Sequence, residues 1–284
     1  MRSDLILLEI AKTDLRAAKC LFNEKLYPQS IFHVQQAIEK ATKSLGIHSR
    51  IITESEAAND ISHKAWKVYK KIFYEEKKKM MELKGFLNKL PKLKEGRFRD
   101  LTKRLDEWDK VEWKNIMQNH KYKELEFIIN EINRLRSEKM ALQRDMPEAI
   151  GEEELKDLRG LLHEFLDAIS GAVPNFPVEE VEKELSKAIK PQLIAYVLKL
   201  IKELSSRLIY CLSCLFYLSL IFSPHAVKTR YPEDGFNPLE IYNNEHPLVK
   251  KLDYFIEVTE EVLTDLDYIL HLDLNREMAF IEAT

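Results

Sequence analysis

Glycine and proline are scarce, seven and ten in 284 residues, and the chain between them is dominated by Leu, Ile, Ala, Glu and Lys. So few breakers among so many good helix formers argue against a turn-rich β architecture and predict an all-α protein. Cysteine is scarcer. Cys20, Cys211 and Cys214 are three in number, odd and too few for a disulfide framework, and a chain of this length buries a core without one. Cys211 and Cys214 have the spacing of half a zinc site, but no second ligand pair accompanies them, so they read as small core side chains one helical turn apart.

Other absences narrow the chemistry. No glycine-rich phosphate loop, HExxH pair or nucleophile elbow is present, and the eight histidines show no metal-ligand spacing, so neither metal nor cofactor is expected. The opening MRSDLILLEIAKTD is broken by Glu9 and Lys12 and does not read as a secretory leader. The longest apolar stretch, Leu208 to Phe222, has 15 residues, short of the ~20 of a spanning helix. A buried helix, no membrane and a cytoplasmic location are expected.

Formal net charge is only −3, but its distribution is uneven. Lys64 to Arg99 holds 13 Lys and Arg against 4 Asp and Glu, whereas Met146 to Lys190 holds 5 against 11. The first segment suits a nucleic-acid phosphate and the second repels one.

Apolar residues at helical spacing predict a first helix through Leu8, Ala11, Leu15, Ala18 and Phe22, capped by Asp4, with Asp14, Arg16 and Lys19 toward solvent or an edge. Pro28 opens a second helix through Ile31, Val34, Ile38, Ala41 and Leu45, and Gly46 is expected to end it. A third spans about Ile61 to Met80, a bent connection follows to Arg104, and a long charged helix spans Leu105 to Leu142. Further helices cover about 155–170 and 178–189, then Pro191 to Phe222, and the last carries Leu252 to Ile269. The expected architecture is an antiparallel helical bundle with a long inserted helical arm.

Within the second helix, His33, Gln36, Lys40 and Lys43 follow three- and four-residue steps, and Gln35 and Glu39 form another such pair. This row can clasp a nucleotide or RNA, or simply face water. His63 lies where Asp60 or Ser62 can cap a helix, a position suited to a neutral imidazole and a proton carrier. The stretch SPHAVKTRYPEDG sets His225, Lys228, Arg230 and Tyr231 between two prolines, where they can meet a phosphate. The alternative is that Arg230 pairs with a carboxylate and Tyr231 packs on the bundle.

These pieces, DLRAAKCLF at Asp14 to Phe22, LYPQSIFHVQQAIEKATKSL at Leu26 to Leu45, the His63 region and TRYPE at Thr229 to Glu233, resemble the HEPN family. That family comprises helical bundles of nucleotidyltransferase partners, toxins and antiviral systems. The resemblance implies a bundle from 1–82 and 191–284 with 83–190 as a charged helical insertion, and a homodimer with its cleft at the subunit junction. Many catalytic members cleave RNA without metal through an Arg, four to six residues and a His. No such spacing occurs here: three residues separate Arg159 from His163, twelve Arg50 from His63, and seventeen Arg207 from His225.

The expected function is therefore a non-catalytic partner of RNA, a nucleotide or a cognate protein in a defence, toxin–antitoxin or nucleotide-related system. His33, Gln36, Glu39, Lys40, Lys43, Lys228 and Tyr231 would bind. The enzyme alternative is a metal-independent endoribonuclease with His63 or His225 moving protons and Arg230 stabilising the phosphate. A third alternative is a purely structural interaction module.

Overall fold

The computed structural model describes residues 2–61, 65–90, 103–107, 110–112, 125–144, 151–172, 176–188, 191–232 and 235–273. Helix is the only regular element among them. The longer helices are α1 (Ser3–Asn23), α2 (Tyr27–His48), α3 (Trp66–Asn88), α4 (Leu125–Arg144), α5 (Glu152–Ala172), α6 (Val178–Ala188), α7 (Pro191–Phe222) and α8 (Leu252–His271).

The α1–α2 hairpin is set by small residues. Ala11, Ala18, Ala37 and Ala41 are fully buried, so the two backbones approach closely. Two buried serines then cross the interface: Ser30 donates to the Ala18 carbonyl at 2.8 Å and Ser44 to the Asp4 carbonyl at 2.7 Å. Fourteen residues forward on α2 match fourteen backward on α1, which fixes an antiparallel register. α1 ends through Lys25 at φ 60°, with the Leu26 amide donating to the Leu21 carbonyl, the left-handed helix stop usually assigned to glycine.

Asp4 is not the cap of α1. The N-cap is Arg2, and Asp4 sits in the first turn, buried and bonded by Arg2 and His48. Burial alone would raise its carboxyl, but those hydrogen bonds and the Leu5 amide prevail and hold it down to about 2. Gly46 likewise does not end α2, which continues to His48 and turns through Arg50 at φ 56°. Its role is space: a Cβ there would meet Ile52 and Val68 side-chain carbons at 3.0 Å. α3 outruns its expected end, passing Gly85 to Asn88.

The main core joins α1, α2, α3, α4, the second half of α7, and α8. Ile128, Ile132 and Leu135 of α4 lie in it beside Cys211, Cys214, Leu215 and Phe222. A smaller cluster of Leu87, Leu90, Leu105 and Ala168 ties the end of α3 to α5. The expected continuous helix over 105–142 is broken: Val111 and Glu112 are not helical, and α4 begins at Leu125 beyond residues outside the described set. Both cysteines of the Cys211 pair are buried thiols. From Ile194 to Phe222, α7 is long and apolar enough to cross a bilayer by length and composition. Its second half is packed in the core, while Leu198 and Ile201 of the first half are exposed.

Replacing Gly46 with Val forces Ile52 and Val68 aside. A loss of roughly 1–3 kcal/mol is expected from such overpacking, read as a lower urea midpoint at unchanged slope.

Candidate functional site

Asp14 lies one position before the core residue Leu15 and so emerges at the edge of the α1 stripe, facing α2. Its carboxylate meets His33 Nδ1 at 3.1 Å and Lys40 Nζ at 2.7 Å. Seven residues, two helical turns, separate His33 from Lys40, so one carboxylate reaches both. Lys40 also donates to Gln36 Oε1 at 2.9 Å, Gln36 to Gln35 Oε1 at 2.7 Å, and Gln35 to Glu39 Oε2 at 3.1 Å. Lys43 pairs with Glu39 at 2.8 Å. Gln35 and Glu39 are buried, and the unbroken chain of donors and acceptors makes that burial tolerable. The sequence did not single out Asp14; its one legible signal was its place at the edge of an otherwise apolar face.

With Asp14 accepting from Nδ1, a neutral His33 keeps the Nε2 lone pair. Among the described residues no hydrogen bond is made to that atom.

The later segment reaches the same place. Ser223 and Pro224 end α7, the short helix His225–Lys228 turns the chain, and Arg230 follows with Nε donating to the Ala226 carbonyl at 3.0 Å. Its guanidinium carbon stands 4.9 Å from the Phe32 ring centre, whose neighbour His33 is 5.3 Å further, ring to ring. Those two steps bound the guanidinium-to-imidazole separation at about 10 Å. Arg230 pairs with no carboxylate among the described residues, and Tyr231 is 56% exposed rather than packed.

His225 and Lys228 have other neighbours. His225 Nδ1 lies 2.6 Å from the Tyr242 hydroxyl, and its ring centre is 6.1 Å from that of His246. Burial, then His246 and Lys228, push its pKa down to about 4, while burial pushes Tyr242 up to about 12. Both partners are therefore neutral across the ordinary pH range, and a single hydrogen bond joins them. Lys228 Nζ stands 5.9 Å from the Phe236 ring centre. His63 lies outside the described residues. Among those described, no three His, Cys, Asp or Glu side chains gather as a metal site.

The geometry unites segments that sequence comparison treats unequally. Residues 5–90 match the HEPN domain. Over 83 residues the chain is 32% identical to the Methanocaldococcus jannaschii protein named "Putative toxin MJ1304", covering 29% of this chain and 50% of that protein. The chain thus spans about half the length of that curated relative. No solved structure matches. The HEPN match takes in α1, α2 and α3, and hence Asp14, His33, Gln36, Glu39, Lys40 and Lys43; Arg230 comes from outside it.

A second cluster ties α4, α7 and α8 to one another. Asp265 of α8, 3% exposed, accepts from Lys139 of α4 at 2.6 Å and from Arg207 of α7. Glu261 accepts from Tyr210 at 2.7 Å and from Arg136 at 3.0 Å. Lys139 also lies over the Tyr210 ring at 4.3 Å, and Arg207 over Tyr268 at 4.3 Å. Spread over three helices far apart in sequence, these residues carried no motif to find.

Asp265→Ala strands Lys139, while Arg207 keeps Glu203 at 3.0 Å, and is expected to cost roughly 3 kcal/mol, the low end for a broken buried pair, measurable by urea unfolding. His225 adds a pH dependence. Its folded pKa lies below the ordinary 6.5, so the unfolded chain binds the proton more readily. Stability should be fully present above pH 6.5 and fall as pH drops toward about 4. Unfolding midpoints across that window should slope less in a folded His225→Gln variant.

Proposed function

We infer that the chain is a HEPN-type module of a toxin–antitoxin or defence system that binds RNA or a nucleotide without turning it over. One observation carries this reading: Arg230, free of carboxylates among the described residues and stacked on Phe32, stands beside the Asp14–His33–Lys40 network. A guanidinium with open donor positions suits a phosphate, and the imidazole of His33, whose Nε2 carries no bond among the described residues, suits the sugar or base beside it. The HEPN match and the toxin-named relative support the same reading. On this reading 1–82 and 191–284 form the HEPN-like body, and 83–190 is an insertion docked through α4. The module works in the cytoplasm as a homodimer with a cognate protein partner.

A second reading, a metal-independent endoribonuclease, draws on the same place. Asp14 orients His33 with Nε2 open, the arrangement of a general base, and Arg230 can neutralise a phosphate. The missing Arg–His spacing weighs against it.

Titration of labelled RNA and of nucleotides separates the two. Saturable binding is expected, with Arg230→Ala weakening it roughly tenfold as a charged hydrogen bond is lost, and with RNA left intact in EDTA. Products ending in 2′,3′-cyclic phosphate would replace this conclusion with the enzyme reading. Absence of any binding would remove both.

A further inference from the structure

The basic segment that begins at Lys64 has a defined surface at its start. The first two turns of α3 face the chain after α2 across a groove of about 450 Å³, lined by Ile51, Trp66, Lys67, Lys70, Lys71 and Tyr74. That volume falls in the ~300–1,000 Å³ range of small-ligand sites.

Spacing orders the groove. Trp66, Lys70 and Tyr74 succeed one another at four-residue steps, about 6 Å each along a helix, and so form one line of ring, cation, ring. Lys67 and Lys71 form a parallel line beside it. Tyr74 is 48% exposed and held edge-on by Phe73 at 5.4 Å. Trp66 is half-buried, with its inner side packed on the main core.

The cations differ in what neutralises them. Lys71 is paired with Glu56, whose place is fixed by a reciprocal capping box with Thr53. Lys67 donates to the Asp60 carbonyl, a neutral acceptor, at 2.6 Å. Lys70 is exposed and makes no ion pair among the described residues. Among the described residues Glu75 is the one carboxylate lining the groove. An aromatic platform beside two ammonium groups that make no ion pair among the described residues is the arrangement that holds an unpaired strand, because every base offers a face for stacking and every phosphate a charge.

We propose that this groove is a single-stranded RNA site, with unpaired bases stacking on Tyr74 and the exposed side of Trp66, and Lys67 and Lys70 meeting the backbone. It rests on the RNA reading above and specifies the form of RNA: unpaired rather than duplex, since a duplex buries its base faces. The groove is distinct from the His33–Arg230 face, so the two can be tested apart.

The full-length protein is titrated by fluorescence anisotropy with labelled single-stranded oligoadenylate and with the duplex it forms with oligouridylate. Tyr74→Ala is expected to weaken single-strand binding roughly tenfold, Tyr74→Phe to preserve it, and Tyr74→Ala to leave the weaker duplex binding unchanged. Lys67→Ala with Lys70→Ala should reduce the single-strand salt slope by about 1.4. Tyr74 is half exposed, and circular dichroism checks that its variants stay folded. If oligoadenylate binds and neither the tyrosine nor the lysine variants change it, the groove inference is overturned while the RNA reading stands. If the lysines matter and Tyr74→Ala does not, stacking is overturned. If the unaltered protein binds no RNA, both fall.

Discussion

The position of Asp265 constrains nearly everything else. A carboxylate at 3% exposure needs cations brought to it, and they come from two other helices: Lys139 from α4 and Arg207 from α7. Replacing such a group by apolar packing can be neutral or stabilising, so the cluster is better evidence of arrangement than of strength. It sets α7 against α8, and the direction in which α7 ends then decides where His225–Lys228 and Arg230 lie. The guanidinium over Phe32 is thus the far end of a chain of positioning that starts at a buried charge on the last helix.

Which charges are left over matters more than how many there are. The polar face of α2 looks crowded, yet Lys40, Lys43, Gln35, Gln36 and Glu39 largely satisfy one another, and Asp14 holds His33 and Lys40 together. Such a network is costly to disrupt and poorly suited to re-pairing with a ligand. Arg230, Lys67 and Lys70 are differently placed, because their donors meet backbone carbonyls, aromatic faces or solvent. Their positive charge remains available to an anion. The polar network therefore acts as a rigid floor beside Arg230, and the uncompensated cations, Arg230 there and Lys67 and Lys70 in the separate groove, determine what each surface attracts.

Periodicity made the helices legible. Leu8, Ala11, Leu15 and Ala18, and Leu252 through Ile269, mark buried stripes at 3.6-residue spacing, and Pro28, Pro191 and Pro224 mark real starts and stops. Glycine misled where its cause was steric. Gly46 sits where Ile52 and Val68 press on α2, while left-handed turns fall to Lys25 and Arg50. The α2 row was legible as a row because i,i+4 geometry is local. Its key carboxylate, Asp14, was not, since nothing in a sequence says which edge of α1 meets α2. Arg230 was visible as a candidate, but its resting place on Phe32 depends on the path of α7 and on packing across nearly two hundred residues. The Asp265 cluster left no local trace for the same reason.

The α1–α2 hairpin is made almost wholly of neighbouring contacts, whereas α8, which covers one of its apolar sides, begins about two hundred residues after α2 ends. At 5–20 residues per second of synthesis, roughly ten to forty seconds pass before that cover emerges from the ribosome. Throughout that interval the sides of α1 and α2 that meet α8 lack their final cover. The nascent chain presents a ready-formed sticky ridge, so a chaperone or a second nascent chain has time to reach it before α8 does.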